Sequence, residues 1–412
     1  MAMPASLDSL RLRTPQLEAV RDRMAASIRD GLAKPDREIR ALPAFLRKPV
    51  AGITGRAVAL DVGGTHMRAA AVELGAGPAR LAGRLRENDL MLQATKRAFS
   101  RDEFFAAQAA LIADAAPERD VTVGYCFSYP ATVTPAREAV LIEWTKGILI
   151  RDVEGQPVGA LLRAALRAQG KNARAIPVLN DTVASLLAGA ALAPDFDRPI
   201  GVIVGTGTNM AGFFPVEALP KLGAGERRGW HDSELMAVNL ESGDFTPREI
   251  LTPWDDALDA SLRPEQRGRQ RFEKTVSGAY LPMLLREVAG AAACAKAGFD
   301  PDDPAVDAGT VAALRDHAAL GAAATVLLDR SADLIAAGLA ALIATYDATG
   351  PAAPRTGILV EGSLFHKTPG YLERVATRLR ELAPRTETVF LPNDEHGVPA
   401  NMLGAASAAL AL

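Results

Sequence analysis

Cysteine and histidine are scarce in this sequence. Only Cys126 and Cys294 occur among 412 residues, together with five histidines. Two cysteines cannot build a disulfide framework, and histidines this dispersed do not give the spacing of a zinc site. We therefore expect a cytoplasmic protein without a structural metal site.

Neither sign of charge dominates, and long apolar runs are missing. The 46 basic and 49 acidic residues give a net charge of −3, which offers no electrostatic reason to bind nucleic acid or an anionic membrane. Residues 1–10 lack the basic region and apolar core of a secretory signal. The stretch closest to a membrane span, residues 321–343, is interrupted by Asp329, Arg330 and Asp333, so we expect a buried helix there.

Three common motifs of phosphate and acyl chemistry are also absent. The sequence contains no Gly-x4-Gly-Lys-Ser/Thr run, which excludes a P-loop. Neither of its glycine turns completes Gly-x-Gly-x-x-Gly before a helix, which excludes the dinucleotide fingerprint. No Gly-x-Ser-x-Gly occurs, which excludes a nucleophile elbow.

Two glycine-rich turns stand out in what is present. An apolar strand runs into Gly63-Gly64-Thr65, and another runs into Gly205-Thr206-Gly207-Thr208. Glycine permits positive φ and a close backbone approach, and successive turn N–H groups form a concavity suited to phosphate oxygens. One such turn alone is what an ordinary hairpin contains. Two of similar build, about 140 residues apart, favour duplicated halves that hold one polyphosphate from opposite sides.

Strand and helix patterns alternate along the chain. Residues 14–47 carry apolar side chains at helical spacing, residues 58–62 are typical of a strand, and residues 101–115, 272–290 and 321–346 are typical of helices. This alternation is typical of an α/β protein. With 49% hydrophobic residues, the chain is long enough for two domains, and no low-complexity linker separates them. We expect the two domains to share a tight hinge.

Two aspartates occupy positions that phosphoryl chemistry can use. Asp61 directly precedes the first glycine turn, where a carboxylate is useful beside phosphates only with a cation such as magnesium. The alternative is that Asp61 caps its own turn. Asp181 belongs to Asn180-Asp181-Thr182, just before an apolar helix. This pattern is typical of a helix N-cap, but a carboxylate there can also accept a proton from a substrate hydroxyl.

In this order, the motifs resemble those of the hexokinases found in eukaryotes and some bacteria, which belong to the sugar kinase, actin and Hsp70 superfamily. The resemblance spans roughly residues 10–412. Leu42-Pro43 also stands in its expected place ahead of the first phosphate motif. The segments that carry it are Leu60-Asp61-Val62-Gly63-Gly64-Thr65, Phe127-Ser128-Tyr129-Pro130, Trp144-Thr145-Lys146-Gly147, Leu179-Asn180-Asp181-Thr182, Val204-Gly205-Thr206-Gly207-Thr208-Asn209, Asn239-Leu240-Glu241, Phe272-Glu273-Lys274-Thr275-Val276-Ser277-Gly278 and Val360-Glu361-Gly362-Ser363-Leu364.

The resemblance implies a two-domain, actin-like ATPase fold (ribonuclease H-like) with a cleft between a small and a large domain. It implies a small domain of residues 56–181 plus 395–412, and a large domain of residues 1–55 plus 182–394. It further implies phosphorylation of a hexose, glucose first among them, at the 6-hydroxyl. ATP would be the phosphoryl donor and Mg²⁺ the cofactor.

The resemblance also assigns roles to individual residues. Asp181 would deprotonate the sugar hydroxyl, and Lys146 would offer its ammonium group to the sugar and the migrating phosphoryl group. Asp61 would hold magnesium through water. The residues expected to bind sugar are Ser128, Thr145, Lys146, Asn180, Asp181, Asn209, Glu241 and Glu273. The residues expected to bind the nucleotide are Asp61, Gly63, Gly64, Thr65, Arg68, Gly205, Thr206, Gly207, Thr208, Gly362 and Ser363.

Four departures from the family pattern are present, and two of them, Ser242 and Asp244, lie beside the sugar in that pattern and would alter the preference among hexoses. Ser242 would open space beside the sugar that Trp fills in relatives. His66 stands where many relatives have Asn, Ser242 where they have Trp, and Asp244 where a small residue is usual. The segment of residues 395–401 lacks a Gly-Ser-Gly-Lys run. The alternatives left open are a kinase for mannose, fructose or an amino sugar, and a sugar sensor with weak catalysis. Monomer and homodimer, and a donor other than ATP, also remain open.

Overall fold

The computed structural model describes residues 6–49, 52–145, 147–303, 306–349, 355–395 and 397–412. Within these residues the chain forms two large β-sheets with helices packed on and between them. The strands are β1 Leu42–Arg47, β2 Gly55–Val62, β3 Met67–Leu74, β4 Arg80–Leu81, β5 Arg86–Asn88, β6 Asp120–Val121, β7 Val123–Phe127, β8 Ala131–Val133, β9 Ala139–Leu141, β10 Asn172–Ala173, β11 Val178–Leu179, β12 Ile200–Val204, β13 Thr208–Pro215, β14 Leu235–Asn239, β15 Arg355–Glu361, β16 Glu387–Leu391, β17 Asp394–Glu395 and β18 Val398–Pro399.

The helices alternate with these strands, as the sequence predicts for an α/β chain. They are α1 Thr14–Ala33, α2 Leu90–Gln93, α3 Arg101–Ala115, α4 Val158–Ala168, α5 Asp181–Leu192, α6 Pro253–Ser261, α7 Arg271–Val276, α8 Leu281–Ala289, α9 Ala291–Lys296, α10 Ala308–Ala313, α11 Gly321–Thr349, α12 Ser363–Lys367, α13 Tyr371–Leu382 and α14 Ala400–Leu410.

The first glycine turn joins the two strands of a hairpin in one sheet. β2 and β3 pair antiparallel, from Gly55 opposite Leu74 to Val62 opposite Met67. β7 runs parallel to β2, and β11 runs parallel to β7. The resulting order is β11-β7-β2-β3-β4, with β5 also paired to β3. Because parallel strands end at the same edge, the residues after β7 and β11 lie on the same side as the turn.

The second sheet repeats this arrangement around the second glycine turn. β12 and β13 form the hairpin, and β15 and then β16 add to β12 in parallel. β14 and β1 extend the sheet beyond β13 in antiparallel pairing. Each sheet therefore combines one hairpin with two parallel strands. This is the duplication that two similar turns predict.

The helices α5 and α14 lie between the two sheets. Their apolar residues share one cluster with Ala59 of β2, Ala211 of β13 and Leu359 of β15. The two helices cross closely, since a Cβ on Gly404 would lie 1.9 Å from the carbonyl oxygen of Ala184. A second apolar cluster lies on the other face of the sheet that contains β2, and a third lies on the other face of the sheet that contains β12. The division into residues 56–181 plus 395–412 and the remainder stays a prediction.

Two of the expected helices are shorter than the sequence pattern indicates. α1 ends at Ala33, because Pro35 follows at once and Asp36 takes a φ of 55°, a left-handed conformation. The prediction of a helix through residue 47 was therefore wrong, and β1 occupies its last part. The helix expected over residues 272–290 divides into α7 and α8. The break is at Gly278, whose N–H donates to the carbonyl of Gly205 instead of continuing the helix.

The Ala-rich stretch of residues 321–343 lies in α11 and is buried, as expected. Its charged residues are paired inside the protein: Arg330 donates two hydrogen bonds of 2.9 Å to Asp255, and Asp333 accepts two from Arg374. Such pairing is what burial of charge requires. No helix among the described residues is long and apolar enough to cross a membrane.

Candidate active site

The turn Gly63-Gly64-Thr65, called the first phosphate turn after its predicted role, is held by an internal hydrogen bond and by two neighbouring segments; Gly205-Thr206-Gly207-Thr208 is called the second. Gly63 N–H donates to the carbonyl of His66 at 3.1 Å and closes the hairpin loop. The Tyr129 hydroxyl donates to the carbonyl of Gly63 at 2.8 Å, and Leu92 N–H donates to the carbonyl of Thr65 at 3.1 Å. His66 is itself an exposed turn residue whose Nδ1 lies 3.1 Å from Glu87 Oε1. These hydrogen bonds fix the conformation of the loop.

Asp61 is buried at the base of this turn and is paired with a cation. It faces Arg68 across the hairpin, and the Arg68 guanidinium donates to its Oδ2. Cys126 lies opposite Asp61 on β7. Burial raises the pKa of Asp61, while the charge and hydrogen bond of Arg68 pull that pKa back down. Burial is the larger effect, so the pKa of Asp61 stays raised, and Arg68 offsets part of the penalty on its charged form.

Metal ligands are sparse around Asp61. No group of three or more histidine, cysteine, aspartate or glutamate side chains that can hold a metal occurs in the described parts of the chain. The ion pair with Arg68 also engages the carboxylate of Asp61. Such a donor set suits an ion carried by phosphates and water, which is how magnesium is usually bound. It does not suit a cage made of protein ligands.

The second phosphate turn is packed against two other loops. Gly205 N–H donates to the carbonyl of Gly207 at 3.0 Å, and Gly278 N–H donates back to the carbonyl of Gly205 at 2.7 Å. Gly362, at a φ of 121°, lies so close that a Cβ there would be 2.2 Å from the carbonyl oxygen of Val204. The structure thus brings Gly205, Thr206, Gly207 and Thr208 together with Gly362 and Ser363, as the nucleotide-site prediction requires.

Asp181 begins α5 at the carboxyl end of β11. Asn180 is the N-cap, since its side chain accepts from Thr182 N–H at 2.9 Å, and Asp181 Oδ1 accepts from the same N–H at 2.8 Å. Both side chains are partly exposed. The negative charge of Asp181 is also felt by Glu241, whose pKa is raised first by burial, next by Asp244 and to a smaller extent by Asp181. The cap role belongs to Asn180, which leaves the outer oxygen of Asp181 for other chemistry.

Glu241 and Asn209 are linked side by side at the end of the second sheet. Glu241 follows β14 with a φ of 55°, an uncommon value for a residue with a Cβ. Asn239 connects them: Asn209 Nδ2 donates to Asn239 Oδ1 at 2.7 Å, and Asn239 Nδ2 donates to Glu241 Oε1 at 2.8 Å. Sequence reasoning gave Asn239 no role. The signal was its position in the segment Asn239-Leu240-Glu241, two residues before an expected sugar-binding acid.

Glu273 is the second acid expected at the sugar, and it contacts the second phosphate turn. Its Oε2 accepts from Thr208 N–H at 2.9 Å. The next residue, Lys274, is buried and donates to Asp259 at 2.6 Å, which fixes α7 in place. Glu273 therefore lies between the phosphate turn and the loop that carries Glu241, since its Cβ would be 3.3 Å from a Cβ on Gly243.

A cleft with walls from both sheets brings several of these residues together. Asn180, Asn239 and Glu241 line it. Other lining residues are Leu42, Pro43, Phe127, Tyr129, Ala131 and Val178. Polar groups on an otherwise apolar wall are typical of a small-molecule site.

The remaining predicted residues have mixed outcomes. Ser128 is partly exposed at the end of β7 and donates its N–H to the carbonyl of Val62 at 3.2 Å. Thr145 is partly exposed, and its carbonyl accepts from Ile148 N–H at 3.3 Å. Lys146 lies outside the described residues. These three assignments stay predictions, as do the roles of the other site residues.

Two of the departures from the family pattern differ from what the sequence suggests. Ser242 is fully buried, and its hydroxyl has no hydrogen-bond partner among the described residues. The idea that Ser242 leaves open space beside a sugar was therefore wrong, because none of its surface is accessible. Asp244 is partly buried and lies 3.4 Å from Arg40 Nε, which ties the loop of Glu241 to the segment before β1.

Comparison with known proteins decides the family. Two sequence models described as hexokinase match residues 3–191, and residues 199–311 with 305–411. The chain belongs to the hexokinase family. It is similar to Hexokinase-4, chloroplastic, of Oryza sativa subsp. japonica, with 34% identity over 303 residues, 70% of this chain and 58% of the rice protein. Hexokinase-7 of the same plant is 29% identical over 442 residues, 95% of this chain and 93% of that protein.

A solved hexokinase structure confirms the fold. The hexokinase of Schistosoma mansoni complexed with glucose has a TM-score of 0.77 to this chain, with 26% identity over 98% of this chain and 97% of that one. The predicted α/β, two-domain, actin-like ATPase fold with a cleft is thereby confirmed. In sequence, the chain spans 55 to 60% of the length of several hexokinases that it matches at 33 to 34% identity.

Proposed function

We propose that this protein transfers the γ-phosphoryl group of ATP to the 6-hydroxyl of a hexose, with glucose as the preferred acceptor. The observation that carries the proposal is the position of Asp181, which begins α5 directly after Asn180, a residue that lines the cleft together with Glu241. Membership of the hexokinase family supports it, as does the likeness to a hexokinase that was solved with glucose.

The acceptor would be held by groups that match a pyranose. A sugar presents a ring of hydroxyl donors and acceptors, which amides and ionised acids can orient one by one. Asn180, Asn209, Glu241 and Glu273 are side chains of this kind and would bind the sugar hydroxyls. Asp181 would accept the proton of the 6-hydroxyl as that oxygen attacks phosphorus, since phosphoryl transfer needs little beyond a positioned base and charge stabilisation.

The donor would lie across the two glycine turns. Backbone N–H groups of Gly63-Gly64-Thr65 and of Gly205-Thr206-Gly207 would bind phosphate oxygens, and the Gly362-Ser363 loop would contact the nucleoside. When bound, Mg²⁺ would neutralise phosphate charge, and Asp61 would reach it through water. Arg68 would stabilise the charged form of Asp61 for that task, because the two are already paired.

Exclusion of water would decide between transfer and hydrolysis. Water competes with the sugar for the phosphoryl group, so closure of the cleft over bound sugar would protect the reaction. We propose the cytoplasm as the site of action, with a hexose and ATP as the partners. Both cysteines are free and buried, which suits a reducing compartment.

A coupled assay of ADP formation with Mg-ATP tests the proposal. Glucose, mannose, fructose and glucosamine would each be offered as the acceptor, with a no-sugar reaction as the control. We expect sugar-dependent ADP release with the highest kcat/KM for glucose. A higher kcat/KM for another hexose would correct the substrate and keep the kinase. Sugar binding by calorimetry without any transfer would favour the sensor instead.

Trp144 offers a test of closure, because it directly precedes Thr145, one of the residues expected to bind the sugar. Its ring contacts Phe104, Phe127 and Tyr129, with ring centroids 4.8 to 6.0 Å apart, and Thr145 follows it. Saturating glucose should change the intrinsic fluorescence with a hyperbolic dependence on concentration.

The Trp144→Phe variant identifies the source of that signal. We expect it to lose most of the change while the Kd for glucose, measured by calorimetry, stays within about tenfold of wild type. Trp230 and Trp254 pack on the other sheet's core and serve as internal references. If the glucose-induced fluorescence change is unaltered in Trp144→Phe, the change comes from Trp230 or Trp254, which would contradict the prediction.

A further inference from the structure

Asn239 joins two side chains of the proposed sugar site. Its Oδ1 accepts from Asn209 at 2.7 Å and its Nδ2 donates to Glu241 at 2.8 Å. The residue is only 7% exposed. It stands at the end of β14, opposite Ala211 of β13 and Leu42 of β1. Both the amide oxygen and the amide nitrogen of Asn239 are therefore engaged in hydrogen bonds.

The direction of this hydrogen-bond chain is fixed by the backbone. Asn209 Oδ1 accepts from Met210 N–H at 2.8 Å and from Ser242 N–H at 3.1 Å. These two donors use both lone pairs of that oxygen, so the amide nitrogen of Asn209 must point to Asn239. Asn239 must therefore accept the hydrogen bond of Asn209 with its Oδ1 and donate one to Glu241 with its Nδ2. Backbone N–H groups thus decide which atom meets Glu241.

Glu241 needs such a partner because its backbone and charge are both unfavourable. Its φ of 55° places the residue in the left-handed region, where a side chain is held only if its surroundings fix it. Burial and the nearby Asp244 raise the pKa of Glu241 and so disfavour its charge, whereas the hydrogen bond from Asn239 favours it. Like that hydrogen bond, the positive charge of Arg40 lowers the pKa of Glu241.

We propose that Asn239 is a positioning residue that orients the carboxylate of Glu241 and the amide of Asn209 for the sugar, acting through these two side chains. The proposal rests on the proposed function, since it concerns the same site. It extends that function by making the two sugar contacts one unit. Loss of the bridge then affects both together.

The first test is Asn239→Ala, measured by sugar binding and by steady-state kinetics. The lost hydrogen bond to a charged group should raise the Kd and KM for the sugar on the order of 10- to 100-fold. The kcat should change much less, because an interaction made equally in the ground and transition states affects KM alone. The KM for ATP should stay near that of wild type.

Asn172→Ala is the matched control. Asn172 also donates to a carboxylate, Asp120, at 2.8 Å, but it is exposed and lies on β10, away from the cleft. It should leave both KM values unchanged. Thermal unfolding of both variants shows whether Asn239→Ala is folded at the assay temperature.

Asn239→Asp keeps the volume of the side chain and gives a readout that a structural role would not move. An ionised Asp can accept from Asn209 but cannot donate to Glu241. Its protonated form can donate again. The sugar KM of Asn239→Asp relative to wild type should therefore fall as the pH falls, whereas that of Asn239→Ala should not. Asp244, Arg40 and Asp181 are the charged groups that also act on Glu241, and they are common to all variants.

The outcomes separate this proposal from the proposed function. A sugar Kd within twofold of wild type in folded Asn239→Ala would overturn the role of Asn239, even with full kinase activity. A lower kcat in Asn239→Ala with no change in the KM for the sugar would also overturn that role. If wild type transfers no phosphoryl group, the proposed function fails, but calorimetric sugar binding by the variants still decides the role of Asn239.

Discussion

Replacement of Asp181 by Asn is expected to lower kcat by on the order of 10²- to 10⁴-fold, which is what a general base usually contributes. The amide keeps the shape of the side chain and its hydrogen-bond acceptor for Thr182 N–H, so the start of α5 should persist. It cannot take the proton of a sugar hydroxyl. Sugar affinity should fall far less than kcat. Steady-state kinetics and calorimetric sugar binding on the same preparation measure the two effects.

Asp102→Asn is the matched control for this substitution. Asp102 also lies in the first turn of a helix, α3, where its side chain is exposed, so both changes remove one acid near a helix N-terminus. Asp102→Asn should retain wild-type kinetics. Near-normal turnover of Asp181→Asn would leave only the helix-start role for Asp181 and would remove the base from the mechanism.

Replacement of Gly362 by Ala should damage the nucleotide side of the site. A Cβ there would meet Val204 O at 2.2 Å and Gly205 N at 2.7 Å, which are backbone atoms of the second phosphate turn and cannot rotate away. The turn has to shift, and a displacement near 1 Å can cost on the order of 100-fold in rate. We expect kcat/KM for ATP to fall by about that factor, with sugar binding largely retained.

Gly370→Ala separates this contact from backbone strain. Gly370 also has a positive φ, 77°, but no atom lies within 4 Å of its added Cβ. Both substitutions therefore strain the backbone, and only Gly362→Ala displaces the phosphate turn. The control should lose some thermal stability and keep its KM for ATP. If the two variants have the same kcat/KM for ATP, the close packing of Gly362 on the second phosphate turn is not the cause of the loss.

Local features of the sequence predicted the parts of the fold that local physics decides. The two glycine turns and their flanking apolar strands indicated two hairpins, and both are present. Helix α3 spans residues 101–115, as the sequence pattern predicted. The charged residues of the 321–343 stretch indicated a buried helix of the protein, and α11 pairs them internally. In each case the signal lies within about one element.

Contacts between distant segments could not be predicted in this way. Asn239 has a role only because β13 and β14 pair in a register that brings Asn209 alongside it. Glu273 meets Thr208 through packing of α7 on the phosphate turn, which no spacing reveals. The end of α1 was missed because apolar spacing was given more weight than Pro35. The prediction for Ser242 was wrong because the burial of a small side chain depends on what surrounds it.

The most direct measurement of the central claim is the identity of the phosphorylated product. Wild-type protein would be incubated with glucose and Mg-ATP, and the products followed by ³¹P NMR with proton coupling to locate the phosphate. We predict one glucose 6-phosphate for each ADP formed, and none with Asp181→Asn on the same time scale. Release of ADP with inorganic phosphate and no sugar phosphate, or phosphate on a different hydroxyl, would contradict the account.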